Sequence, residues 1–134
     1  MKLVLILTLL LITSCDSRRT DSYMRQQLPP GVSEIKEYYR DTGLSGDYIR
    51  LLKARGNKED YEQLAKNLEL TQKFSEALNR DDVYVEDRPI DNPPNWWDEP
   101  INGKDFYFNI DLEKEYQMRL KWKDGWIYVA TISW

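Results

Sequence analysis

The sequence predicts an α+β domain: an antiparallel sheet of about four to six strands packed on one or two helices from the middle of the chain. Three observations carry that expectation. Period-two alternation runs through two segments of the C-terminal third, a 3.6-residue apolar period marks one stretch near the middle, and turn-forming residues separate them.

Ser33 to Arg40 contains Ile35, Tyr38 and Tyr39, a set compatible with a helix face. The adjacent tyrosines and the following Thr42-Gly43-Leu44-Ser45-Gly46 favour a strand that enters a loop. Asp47 to Arg55 is expected as a second strand, with Ile49, Leu51 and Leu52 as its apolar content. Asn57 then suits a helix N-cap, and Asp60 stands where the acid of a capping box reaches back. Tyr61, Leu64, Ala65 and Leu68 follow at i, i+3, i+4 and i+7, on one helical face. Thr71 is expected to cap a shorter second helix that turns Phe74, Ala77 and Leu78 inward.

Phe106, Phe108, Ile110 and Leu112 alternate with Tyr107, Asn109 and Asp111, as in a half-buried strand. Tyr116, Met118, Leu120 and Trp122 repeat the pattern, and Trp126 to Trp134 returns after a turn at Lys123-Asp124-Gly125. A two-residue Asp124-Gly125 turn would set Lys121 opposite Tyr128 and mix charge with aromatic rings on each face. A three-residue loop with Gly125 as a left-handed bulge instead pairs Trp122 with Trp126, Leu120 with Tyr128, Met118 with Ala130 and Tyr116 with Ile132. The second register gathers one apolar face and is the one expected. It leaves Gln117, Arg119, Lys121, Thr131 and Ser133 on a more polar face, with Ile127 and Val129 among them.

The chain begins with Met1-Lys2, an apolar stretch from Leu3 to Ile12, and the small residues Thr13 and Ser14 before the only cysteine, Cys15. Positive start, short apolar run and small cleavage residues are the parts of a secretory signal, and the run is too short to span a bilayer. Ile12-Thr13-Ser14-Cys15 resembles the lipobox of bacterial prolipoproteins. The resemblance implies cleavage before Cys15 and a thioether-linked lipid on its sulfur, with no other cofactor. Asp16, next to the cysteine, resembles the inner-membrane retention signal of enterobacteria-like lipoproteins. It favours the inner membrane, facing the periplasm, in a Gram-negative cell; the outer membrane or cell surface is the other expectation. Arg18-Arg19 follows the apolar stretch, so it is read as tether charge near anionic headgroups, not as a twin-arginine signal.

The expected organisation is a signal peptide over 1–14, a flexible tether over 15–30 and a single globular domain over 31–134. The tether closes on Leu28-Pro29-Pro30-Gly31 and has a reach of roughly 20 Å. Loss of residues 1–14 removes Lys2 and leaves 18 basic against 23 acidic residues, a net charge of −5. An acidic domain lacks the basic footprint that nucleic acid demands. The chain has no histidine and its one thiol is assigned to lipid. That excludes histidine-based nucleophilic triads, zinc sites of the usual His/Cys type, and intramolecular disulfides.

One stretch invites a functional reading. Residues 87–100 hold four prolines and the run Trp96-Trp97-Asp98-Glu99. Proline keeps this stretch out of regular structure. The four residues are candidate ligand or partner contacts, with an exposed indole stacking on a sugar ring or partner side chain and Asp98 or Glu99 adding polar contacts. Burial of both rings to close a small core is the favoured alternative, because large aromatics dominate such cores. Acid pairs at Asp81-Asp82, Glu86-Asp87 and Asp98-Glu99 are more in keeping with solvated charge than with the opposed carboxylates of a glycosidase, and no calcium-loop spacing is present.

Leu28-Pro29-Pro30, Gly46-Asp47-Tyr48 and the closing Lys123-Asp124-Gly125-Trp126-Ile127-Tyr128 resemble small bacterial lipoproteins in general, a likeness that implies no activity. Two functional classes follow. One is a non-catalytic envelope lipoprotein, held to the membrane through its lipid anchor, that binds a protein or glycan partner. The other is a small carboxylate-dependent hydrolase acting on envelope or dietary glycan, with Asp98 or Glu99 beside the tryptophans. No catalytic or metal-ligating residue is assigned.

Overall fold

The computed structural model describes residues 23–41, 43, 46–73, 89–100, 105–111 and 113–134. The elements are α1 (Tyr23–Gln26), β1 (Ser33–Asp41), β2 (Tyr48–Arg55), α2 (Lys58–Asn67), β3 (Gln72–Lys73), β4 (Tyr107–Asp111), β5 (Tyr116–Lys123) and β6 (Trp126–Ser133). The class is α+β. One antiparallel sheet runs in the order β1-β2-β6-β5-β4, extended at its far edge by the two-residue β3.

Helix α2 starts where its capping residues dictate. The Asn57 side chain accepts from the Asp60 amide at 2.8 Å, and the Asp60 carboxylate accepts from the Asn57 amide at 3.0 Å. Two otherwise orphaned amides are satisfied, which fixes the entry of the chain into the helix. Tyr61, Leu64 and Ala65 from α2 share one buried cluster with Leu52 and Ala54 of β2, Leu120 of β5, and Ile127 and Val129 of β6. Strand alternation places these sheet residues on a single side, called here the helix face.

The β5–β6 hairpin departs from the register expected from sequence. The pairs are Lys123 with Trp126, Trp122 with Ile127, Lys121 with Tyr128 and Leu120 with Val129. The connection is the two-residue Asp124-Gly125 turn, with positive φ at both residues, 51° and 82°. This is type I′ geometry, whose twist matches that of the flanking strands and for which Asp-Gly is a preferred sequence. Turn chemistry therefore decides the register against simple segregation of polar from apolar residues. Arg119 and Lys121 share a side with Trp126, Tyr128 and Ala130, while Thr131 joins Leu120 on the helix face.

Two further expectations change. Residues 23–30 are not tether: Met24 is 2 % exposed within the core, Pro29 is buried, and the Thr131 hydroxyl lies 3.4 Å from the Met24 sulfur. The apolar Met24 and Leu28 dock where polar neighbours suggested free chain, so the domain extends back at least to Tyr23. Gln72–Lys73, expected to open a second helix after Thr71, pair instead with Phe108 and Tyr107 as β3. Phe74, Ala77 and Leu78 lie outside the described residues, as do the leader, Cys15, and the acid pairs at 81–82 and 86–87.

Candidate functional site

The opposite side of the sheet is covered by residues 89–100, which cross it as an irregular strap. Its proline-rich sequence cannot supply the amides of another strand. Side chains of the sheet hold it instead. At its start, the Arg40 guanidinium of β1 donates to the Asp91 carbonyl at 2.7 Å and the Asn92 carbonyl at 2.9 Å. In its middle, the Lys53 ammonium of β2 reaches the Asp98 carboxylate at 2.6 Å and the Trp96 carbonyl at 3.4 Å. At its end, Arg119 of β5 grips both Glu99 oxygens at 2.6 Å, while Lys121 lies 3.2 Å from Glu99 and donates to the Pro100 carbonyl at 2.9 Å.

All four cations belong to this strap face. The cross-strand pairs Arg40–Ile49, Lys36–Lys53, Lys53–Tyr128, Lys121–Tyr128 and Arg119–Ala130 fix their side by period-two alternation. Aromatic rings cover two of them. The Lys53 ammonium sits 4.5 Å from the Trp126 ring centre, and the Lys121 ammonium 4.7 Å from that of Phe106. A cation over an aromatic face gains electrostatic attraction that partly offsets its desolvation.

The four candidate contact residues separate into different environments. Trp97 is buried edge-on against Tyr128, 5.6 Å between ring centres, in a cluster with Ile49, Leu51, Ile90 and Ala130. Trp96 is half-buried and meets Trp97 at a 78° interplanar angle. The Glu99 side chain is only 7 % exposed, whereas that of Asp98 is 66 % exposed. Adjacent residues of an extended strap thus place one carboxylate under the chain and the other at its solvent edge.

Desolvation of Asp98 acts to raise its pKa, but hydrogen bonds from Lys53 and Tyr128 win and hold the carboxyl below its ordinary value. Tyr128 responds in the opposite sense. Burial pushes its phenol above the usual tyrosine range, and donation to Asp98 at 3.1 Å adds to the effect. A general acid needs a proton near neutral pH, and Asp98 is displaced away from that condition. Both Glu99 oxygens are occupied by a bidentate guanidinium, a fixed geometry suited to structural fastening. Among the described residues, no cluster of three or more acidic or cysteine side chains is arranged to hold a metal ion.

Sequence reasoning found the strap but not its fasteners: Arg40, Lys53, Arg119, Lys121 and Tyr128. One signal existed. Lys53 interrupts the apolar run Leu51-Leu52-Lys53-Ala54, and β5 repeats a cation at every second position, so two basic stripes stood ready for a pair of acids. Compared with known proteins, the chain matches no family model, no curated protein and no solved structure.

Proposed function

We propose that the chain is a bacterial envelope lipoprotein, anchored by lipid on Cys15, whose domain binds a protein or polymer partner close to the membrane without catalysing a reaction. The observation that carries this reading is the run Ile12-Thr13-Ser14-Cys15 at the end of a short apolar leader. Among the described residues no helix is long and apolar enough to cross a membrane. With the domain extending back to Tyr23, the proposed tether is residues 15–22, with a reach of about 15 Å. Any partner therefore meets the domain near the lipid surface, and Asp16 favours the periplasmic side of an inner membrane.

The strap supports a non-catalytic role because Asp98 and Glu99 are engaged by separate cations. In the proposed architecture the sheet lies between two covers, α2 on one face and the strap on the other. The shared cluster of α2 and sheet residues and the strap's ion pairs support that layering. A hydrolase acting through Asp98 or Glu99 would require those ion pairs to open.

The anchor is tested by Cys15→Ser in the full chain. Incorporation of labelled fatty acid should vanish and the unprocessed precursor should accumulate; normal acylation in this variant would remove the anchor. Crosslinking of tagged protein in its own membranes should return a reproducible partner, and repeated failure to find one would count against the binding role.

A further inference from the structure

The helix face is not covered evenly. Beyond the Leu52, Val129 and Leu120 row, the register builds a second row across five strands: Tyr39, Arg50, Thr131, Met118 and Asn109. Met24 sits on Thr131 at its centre. The next row holds Asp41 opposite Tyr48 and Ser133 opposite Tyr116. Tyr39 is 41 % exposed, and Tyr48 and Tyr116 are half-buried.

These tyrosines lie in a fixed polar frame. The Tyr39 and Tyr48 rings stack with centres 5.9 Å apart and planes 28° from parallel, and the Arg50 guanidinium lies 5.2 Å from the Tyr39 ring centre. The Tyr39 hydroxyl donates to Asp41 at 2.7 Å, and the Asn109 amide donates to the Tyr116 hydroxyl at 3.5 Å. Tyr48 on β2 and Tyr116 on β5 are separated by β6, so their backbones stand roughly 10 Å apart, two inter-strand spacings. Aromatic residues at that backbone spacing, edged by amide, guanidinium and carboxylate groups, suit every second ring of an extended sugar chain, each ring with an apolar C–H face and a hydroxyl rim.

We propose that this tyrosine row is a binding platform for a neutral polysaccharide. Charge selects among polymers: Asp41 stands opposite Tyr48 and Asp111 opposite Tyr116, in a chain of net charge −4, which disfavours anionic chains. Rigid rings already held by their neighbours lose little conformational freedom when a ligand docks, which favours affinity. This inference deepens the binding role proposed above and rests on it, but not on the anchor or the strap.

The test is affinity electrophoresis of the full chain, purified from its own membranes or cells in a neutral detergent, through gels containing soluble starch, hydroxyethyl cellulose, mannan or polygalacturonate. At least one neutral polymer should retard the protein, equally at low and high salt, while polygalacturonate should not. Tyr48→Ala and Tyr116→Ala should each weaken retardation about tenfold, as loss of a stacked aromatic contact implies, and Tyr48→Phe should retain most of it. Trp96→Ala should change nothing. Circular dichroism of each variant must match that of the parent. Retardation by no neutral polymer, or unchanged retardation in a folded Tyr48→Ala/Tyr116→Ala double variant, would overturn the platform. If crosslinking nevertheless returns a protein partner, the membrane-proximal binding role stands and only its glycan assignment falls.

Discussion

The two faces of this sheet are buried by opposite means. On the helix face, Leu52, Ala54, Leu120, Ile127 and Val129 share one apolar cluster with Tyr61, Leu64 and Ala65. On the strap face, apolar residues share the space with Lys53, Arg119 and Lys121, all buried; Glu99 descends to meet Arg119 and Lys121, while Asp98 meets Lys53 at the solvent edge. The first arrangement tolerates imprecision, because dispersion and the hydrophobic effect have little directionality. The second does not. A buried ion pair is favourable only when its geometry satisfies both partners, and removing one partner strands the other. One face therefore gives the domain its cohesion, while the other fixes where an irregular segment must lie.

This contrast can be broken most sharply at Glu99. Glu99→Ala removes the carboxylate that Arg119 grips and Lys121 approaches, with an expected loss of about 3–5 kcal/mol in urea-unfolding free energy. Leu120→Ala is the matching test on the helix face, where a cavity should cost about 2–5 kcal/mol. Gly125→Val strains a residue whose φ is +82°, and thermal unfolding should report a loss of about 1–2 kcal/mol. Asn57→Ala should cost about 1 kcal/mol by removing the α2 cap.

The smallest expected effect concerns pH. The folded state holds the Asp98 pKa below the ordinary 3.8, so the charged form is favoured by folding. Its contribution is complete above the unfolded value and disappears as pH falls through the folded one. Because Asp98 is largely exposed, Asp98→Asn should lower neutral-pH stability by only a few tenths of a kcal/mol and slightly flatten the acid limb. Tyr128 carries the opposite sign. Its raised pKa makes the strap contact sensitive to alkali, with stability lost as pH rises past 10, and Tyr128→Phe should reduce that sensitivity, the remainder coming from Tyr61, whose phenol burial also pushes up.

The helix face was legible in the sequence because its signals are local. Asn57 and Asp60 cap α2 by themselves, the period of Tyr61, Leu64 and Ala65 is helical, and Leu120 alternates with charge as a strand residue should. The strap face was not legible, because a buried lysine and a solvated lysine look alike in a strand. Assigning Arg119 and Lys121 to a polar face led directly to the wrong hairpin register. The Asp124-Gly125 turn held the correcting information, since both of its residues take the left-handed conformations that a two-residue hairpin needs. The docking of Met24 was hidden for a different reason: one apolar side chain among charged neighbours gives no periodicity.

The most direct test of the fastened strap is a double-mutant cycle on Glu99 and Arg119, using Glu99→Gln, Arg119→Met and the double variant in urea unfolding at neutral pH. The strap-face account predicts that each single change is strongly destabilising and that the double change costs clearly less than their sum, with a coupling of about 2–3 kcal/mol. Additivity within about 0.5 kcal/mol would contradict it. In that case the packing of Trp97 and Ile90 and the contacts of Arg40 and Lys53 would hold the strap without help from Glu99 and Arg119.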